Sequence, residues 1–285
     1  MKGKFVLITG GTSGIGRATA IELARLGATV VFTTRDLARG EAARKEIQEA
    51  SGSEDVQSIV CDLASFDSIR GCTAGFKSRF PKLDVLINNA GTWDFKRRET
   101  VDGVERAFAV NFLAPFLLTN LMLDLLKQSA PSRVINVASA LHRGKVNFDD
   151  IEFKRHYSGF RAYSQSKLCL ILFTRLLSNR LEGTGVTANC VHPGMVKSNL
   201  SRDSGLALRF FFKLLGTSPE KGARTSVYLA SSPKVEEVTG EYFSNRTAQR
   251  SSRESYDMET AERLWKIAEA YVGLTNTAAP PRSSP

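Results

Sequence analysis

The chain has 285 residues, 42% of them hydrophobic, enough for one large α/β domain or two small ones with a sizeable core. Its first residues enter a strand directly with no signal-like apolar region, and no apolar run is long enough to span a bilayer, so a soluble, cytoplasmic protein is expected. The formal charge of +10 is spread along the chain rather than gathered in a stripe, and the four cysteines and three histidines show no ligand spacing, which sets nucleic-acid partners and a metal site aside.

In chain order, residues 5–8 form an apolar run, Thr9-Gly10-Gly11-Thr12-Ser13-Gly14-Ile15-Gly16 a glycine turn, and residues 17–26 a helical pattern. Such a strand, turn and helix start lets a diphosphate approach the main chain and meet the free N–H groups and positive end of the helix. Residues 29–34 read as a second buried strand, 36–50 as a helix capped by Asp36, and 56–60 as a third strand. Helix 66–79, strand 83–88, helix 101–127, strand 133–138, helix 160–181 and strand 187–192 continue the alternation. The periodicity then lapses until a helix at 219–229, a short strand at 241–243 and a terminal helix at 259–272, and the Pro/Ser/Ala-rich residues 276–285 read as a disordered tail. The expectation is a single doubly wound α/β domain over residues 1–275, with about seven mostly parallel strands and helices on both faces. Ligand in such a sheet binds beyond the carboxyl ends of the strands, where the winding reverses.

Tyr163 and Lys167 stand four apart on one face of the predicted helix. A phenol near pKa 10 becomes useful at neutral pH when a cation favours its phenolate, and Lys167 is that cation. Ser139 follows a strand and would present its hydroxyl at the ligand end of the sheet, and Asn111 places an amide in an apolar helix where it must find partners. Singly, these residues have plain structural explanations: a solvated helix pair, a strand terminator, a locally bonded amide. Their joint placement at one end of the sheet points to chemistry.

Together with Asn88-Asn89-Ala90-Gly91, which ends the fourth strand, these residues resemble the short-chain dehydrogenase/reductase family over roughly residues 3–245. The resemblance implies a Rossmann fold. Residues 9–16 match the family's Thr-Gly-x-x-x-Gly-x-Gly, assigning Gly10, Thr12, Ser13, Gly14, Ile15 and Gly16 to the cofactor. Asp62-Leu63 matches the adenine-side contact, Asn89, Ala90 and Gly91 its further cofactor contacts, and Pro193-Gly194 the turn beside the nicotinamide. Val196 belongs to that region, and Ser198 stands where many members have Thr. Asn111, Ser139, Tyr163 and Lys167 match the catalytic tetrad: Tyr163 exchanges a proton with the substrate oxygen, Ser139 polarises the carbonyl, Lys167 favours the phenolate and holds the nicotinamide ribose, and Asn111 keeps a water in the proton relay. The interval from Ser139 to Tyr163 is longer than usual, with an insertion around residues 142–157, as in the retinol-dehydrogenase-like branch, and its expected effect is on pocket shape.

An NAD enzyme needs a carboxylate at the end of the second strand, but that family position aligns with Thr34, and the Arg35 that follows suits a 2′-phosphate. Asp36 then reads as a helix cap, Arg17 as a second cation, and NADP(H) as the favoured cofactor over NAD(H). The apolar segment 206–215, within a substrate lid at about 197–217, has three readings: a cover over a lipophilic substrate, an interfacial membrane helix, or packing between subunits of a homo-oligomer. The reading is an NADP(H)-dependent oxidoreductase that interconverts a lipophilic aldehyde or ketone and its alcohol. Its alternatives are an NAD-dependent dehydrogenase with the same tetrad, and a non-catalytic NADP-sensing regulator.

Overall fold

Short β-branched runs separated by amphipathic helices can pair only through crossovers, and the chain does this repeatedly. The computed structural model describes residues 1–194 and 217–274. In it β1 (Phe5–Ile8), α1 (Gly14–Arg25), β2 (Thr29–Thr34), α2 (Leu37–Ser51), β3 (Val56–Val60), α3 (Phe66–Arg79) and β4 (Val85–Asn88) alternate. They lead through α4 (Arg106–Phe108), a π-helical turn at Ala109–Leu113 and α5 (Ala114–Gln128) to β5 (Ser132–Val137), α6 (Gly159–Arg180) and β6 (Val186–His192). α7 (Pro219–Ser231), β7 (Tyr242–Ser244), β8 (Thr247–Gln249) and α8 (Met258–Val272) complete the described elements.

The eight-stranded sheet has the order β3-β2-β1-β4-β5-β6-β7-β8, parallel up to β7. The winding reverses between β1 and β4, which opens a crevice at their carboxyl ends. Leu23 of α1, Ile47 of α2 and Leu229 of α7 pack with Val6, Ile8, Val30 and Phe32 on one face. Phe76, Phe112, Phe116, Phe173 and Trp265 pack with Leu7, Leu86 and Val134 on the other. Arg106–Gln128 is apolar and long enough to cross a membrane by composition, but it belongs to this second core, with 67% of its most apolar window buried.

A row of polar side chains runs through the sheet. Asn88, Asn136 and Cys190 are register neighbours on β4, β5 and β6. Asn88 Nδ2 donates to Asn136 Oδ1 at 2.8 Å and to Thr119 Oγ1 at 3.0 Å. Asn136 Nδ2 in turn donates to Thr174 Oγ1 at 2.8 Å. These bonds tie α5 and α6 to one register just below the crevice.

Two elements differ from expectation. The long helix begins at Arg106 rather than at residue 101, because Gly103 takes φ 73° and Glu105 caps the helix by accepting from the N–H groups of Ala107 and Phe108. An additional strand, β8, pairs antiparallel with β7 through Asn245 and Arg246, both at positive φ. The sequence carries no glycine there to announce the turn. The lid segment, except Thr217, and the tail lie outside the described residues.

α8 is fixed by Trp265, whose ring meets Phe116 edge-on at 4.9 Å and lies 5.6 Å from Phe173, with the Arg180 guanidinium 3.9 Å over it. Trp265→Ala is expected to lower unfolding free energy by about 3 to 5 kcal/mol. Urea denaturation with an unchanged m-value is the check.

Candidate active site

The crevice is a cleft of about 930 Å³. Gly10, Thr12, Ser13, Gly14, Ile15 and Gly16 line it from the β1–α1 turn, Arg35 from β2–α2, Asp62 and Leu63 from β3–α3, and Asn89, Ala90 and Gly91 from the end of β4. Each was expected from the sequence. Thr9 holds the two sides in register, since its hydroxyl accepts the Asn89 and Ala90 N–H groups at 2.9 and 3.0 Å while Asn89 Nδ2 donates to the Thr9 carbonyl at 2.8 Å.

The cleft fits a nicotinamide dinucleotide on its own features. α1 starts at the glycine turn with no acidic residue in its first turn and no side chain capping its N–H groups, so the positive end faces the cleft. A Cβ on Gly16 would lie 2.3 Å from the Gly10 carbonyl oxygen and 2.5 Å from Asn89 Nδ2, and one on Gly91 would fill the space between Asn111 Oδ1 and Lys167 Nζ. At the adenosine end, Asp36 Oδ1 accepts the Arg39 N–H at 2.8 Å as the N-cap of α2. Arg39 lines the cleft beside Arg35, a cation that the sequence reading missed because it sits a helical turn beyond the strand. Arg17 differs from expectation: its guanidinium pairs with Glu46.

Tyr163 and Lys167 lie on α6, one turn apart and both buried. Lys167 Nζ donates to the Val137 carbonyl at 2.8 Å and stands 5.9 Å from the centre of the Tyr163 ring. Burial depresses its pKa to about 8, so it keeps its charge at neutral pH. The Ser139 hydroxyl lies beside the phenol and favours its ionised form. Burial raises the phenol's pKa, opposed by the Ser139 hydroxyl, so in the chain alone Tyr163 holds its proton.

Asn111 sits at the centre of the π-helical turn, fully buried. Its Oδ1 accepts the Thr92 N–H at 2.7 Å, and its Nδ2 donates to the Thr92 carbonyl and to Ser166 Oγ, both at 2.9 Å. Both amide hydrogens are thus engaged, and Oδ1 keeps a second lone pair that can accept from the expected relay water. The amide also braces the loop after β4 against α6. Pro193 and Gly194, the latter at φ 83°, follow β6, while Val196 and Ser198 lie outside the described residues.

Trp93 is the other residue missed from sequence. Its ring stacks on Tyr163 at 4.8 Å and 15°, and on Phe95 at 5.7 Å and 16°, with Phe160 tilted alongside at 6.3 Å. The insertion folds over this loop: Tyr157 donates to the Asp94 carbonyl at 3.0 Å, Glu152 accepts the Glu105 N–H at 2.9 Å, and Tyr271 of α8 donates to Glu152 at 3.0 Å.

A doubly wound sheet with this glycine turn, cleft and Ser-Tyr-Lys arrangement is that of a nicotinamide-dependent oxidoreductase. The chain belongs to the short-chain dehydrogenase/reductase family, on its retinol-dehydrogenase-like branch, and is an oxidoreductase acting on CH–OH donors with NAD(P). The short chain dehydrogenase family model matches residues 4–207. Retinol dehydrogenase 14 of Homo sapiens is 46% identical over 294 residues, 96% of this chain and 88% of that relative. A crystal structure of an uncharacterized protein from Mycobacterium Paratuberculosis superposes with TM-score 0.79 at 34% identity, covering 98% of this chain and 96% of that one. The RhlG/NADP active-site complex of Pseudomonas aeruginosa does so with TM-score 0.69 at 27% identity, covering 85% and 94%.

Gly16→Ala drives a methyl into the Gly10 carbonyl. Dinucleotide affinity, followed by quenching of tryptophan fluorescence, is expected to fall by about tenfold or more with the far-ultraviolet circular dichroism unchanged.

Proposed function

We propose that this protein is an NADP(H)-dependent reductase and dehydrogenase for lipophilic carbonyls and their alcohols, with Tyr163 as general acid and base. The observation that carries the reading is the buried phenol of Tyr163, beside the Ser139 hydroxyl, one helical turn from a charged, buried Lys167 and stacked on Trp93, which lines the dinucleotide cleft. The bound nicotinamide supplies or accepts hydride. Tyr163, protonated by virtue of burial, gives its proton to the oxygen of a carbonyl undergoing reduction, and Ser139 holds that oxygen as negative charge builds on it. Lys167, with Nζ beside Gly91 where the cleft meets α6, binds the ribose on that side.

Substrate class follows from the surface beside the phenol. Phe95 and Phe160 are 46% and 50% exposed, and with Trp93 they form an apolar aromatic wall reaching from Tyr163 to solvent. Such rings outside a core suit a lipophilic ligand. The names of the curated relatives, retinol dehydrogenases, agree with that class. For the cofactor, the exposed Arg35 and Arg39 line the cleft, and Asp36 between them gives one carboxylate oxygen to the cap of α2. This favours a 2′-phosphate.

Tyr163→Phe is expected to keep NADPH binding and lose about 10² to 10⁴ in kcat, measured with a panel of lipophilic aldehydes and ketones including retinal. Because burial raises the phenol's pKa, wild-type reduction should hold level through neutral pH and fall on the alkaline side, as the acid is lost. Binding of NADPH with no turnover of any carbonyl, and no change in Tyr163→Phe, would favour a dinucleotide-sensing regulator. Replacing Arg35 and Arg39 together by alanine should raise the KM for NADPH about ten- to hundredfold and leave that for NADH within about twofold. An equal change for both cofactors points to an NAD-dependent dehydrogenase.

A further inference from the structure

Ser139 is held from several sides. Its carbonyl accepts from His142 Nδ1 at 2.5 Å and from the Tyr242 hydroxyl at 3.3 Å, which fills both lone pairs. Its hydroxyl accepts the Leu141 N–H at 3.1 Å and keeps its own proton beside the Tyr163 phenol. The tautomer of His142 is set from the opposite edge of the ring, because Nε2 lies 2.9 Å from the main-chain N–H of Ser252, a group that can only donate. Nε2 must therefore be bare and Nδ1 protonated. The ring is 6% exposed and leans on Tyr242, centroids 4.9 Å apart.

Ser252 is itself anchored to the catalytic helix. Arg175 of α6 donates to the Gly240 carbonyl at 2.8 Å and to Ser251 Oγ at 3.1 Å, with its guanidinium 3.8 Å over the Tyr256 ring. A continuous path thus runs from α6 through residues 251–256 and His142 back to Ser139, and none of its intermediate members belongs to the tetrad.

We propose that His142 is a positioning residue, whose neutral Nδ1–H tautomer couples the C-terminal segment at Ser252 to the placement of the Ser139 hydroxyl. The inference rests on the reaction proposed above. Acid is the natural way to release the clamp, since a proton on Nε2 sets donor against donor at Ser252. Arg143, and Arg175 on α6, oppose that proton, while the Ser139 carbonyl bond and Glu254 favour it; His192 of β6, whose Nδ1 accepts the Ala140 N–H at 3.2 Å, Tyr242 of β7 and Tyr163 face the serine turn uncharged. Burial is the largest influence and holds His142 below the ordinary histidine range, so the clamp persists through neutral pH and opens as pH falls below that range.

The test uses the whole chain with NADPH and a carbonyl that the wild type reduces. His142→Asn places an amide N–H where Nδ1 stands, His142→Gln reaches only toward Ser252, and His142→Phe keeps the ring without either bond. Ser252→Pro removes the donor N–H alone, because Ser252 has φ −61°, which proline adopts, and its Oγ has no partner. The expected result is a kcat about ten- to hundredfold lower in the Phe and Gln variants, restored to within about threefold in Asn, with KM and NADPH affinity within about twofold throughout. In Ser252→Pro the acid limb of the pH–kcat profile should be lost, because no N–H remains at residue 252 to oppose a proton on Nε2. A kcat within about twofold of wild type in both Phe and Gln variants overturns the proposal, as does an equal loss in Asn and Phe. If the His142 variants do not fold, Ser252→Pro decides: loss of the acid limb supports the clamp, an unmoved limb overturns it. Should the wild type reduce no carbonyl, the functional reading fails by itself, and nitrogen-15 NMR of the imidazole then decides the clamp: Nδ1–H at neutral pH supports it, Nε2–H overturns it.

Discussion

One charged hydrogen bond in a dry seam sets the geometry of the whole site: the ammonium of Lys167, 3% exposed, donating to the Val137 carbonyl at the carboxyl end of β5. A buried cation is costly unless partnered, so the bond fixes how far α6 can slide along the sheet. Tyr163 rides one turn earlier on that helix, and Ser139 lies two residues beyond Val137 on the strand side. One contact therefore sets the spacing of all three groups. The polar row Asn88, Asn136 and Thr174 below it reinforces the same alignment, since a slipped register would leave buried amides unpaired.

Around that seam, residues distant in sequence do the bracing. Asn111, released from regular helical geometry by a π-helical turn, ties the Thr92 loop to Ser166 of α6. The insertion between β5 and α6 then seals the same loop from outside, through Tyr157, Glu152 and, on α8, Tyr271 and Arg263, whose guanidinium lies 4.1 Å over Phe148. The aromatic wall on Trp93 stands on this support. Its exposed rings stay in place because the loop beneath them has little freedom to refold.

Charge near the cleft is arranged by pairing rather than by number. Of the cations at the adenosine end, Arg17 is bound to Glu46, whereas Arg35 and Arg39 line the cleft with Asp36, one oxygen of which caps the α2 N-terminus. A net charge of +10 says nothing of this selectivity, which arises from which acid each base meets.

By itself the sequence determined the strand and helix alternation, the glycine turn at Gly10 to Gly16, the cap at Asp36, and the α6 spacing of Tyr163 and Lys167, because these follow from local periodicity, backbone sterics and the helical repeat. It could not place Trp93 on the Tyr163 ring, direct Arg17 to Glu46, exhaust the hydrogens of Asn111, or bring His142 between Ser139 and Ser252. Only the tertiary structure decided these, since the partners lie between three and 110 residues apart and meet where separate loops converge over the end of the sheet. Their protonation and orientation come from burial and from the particular donor or acceptor each one faces, quantities that no local pattern encodes.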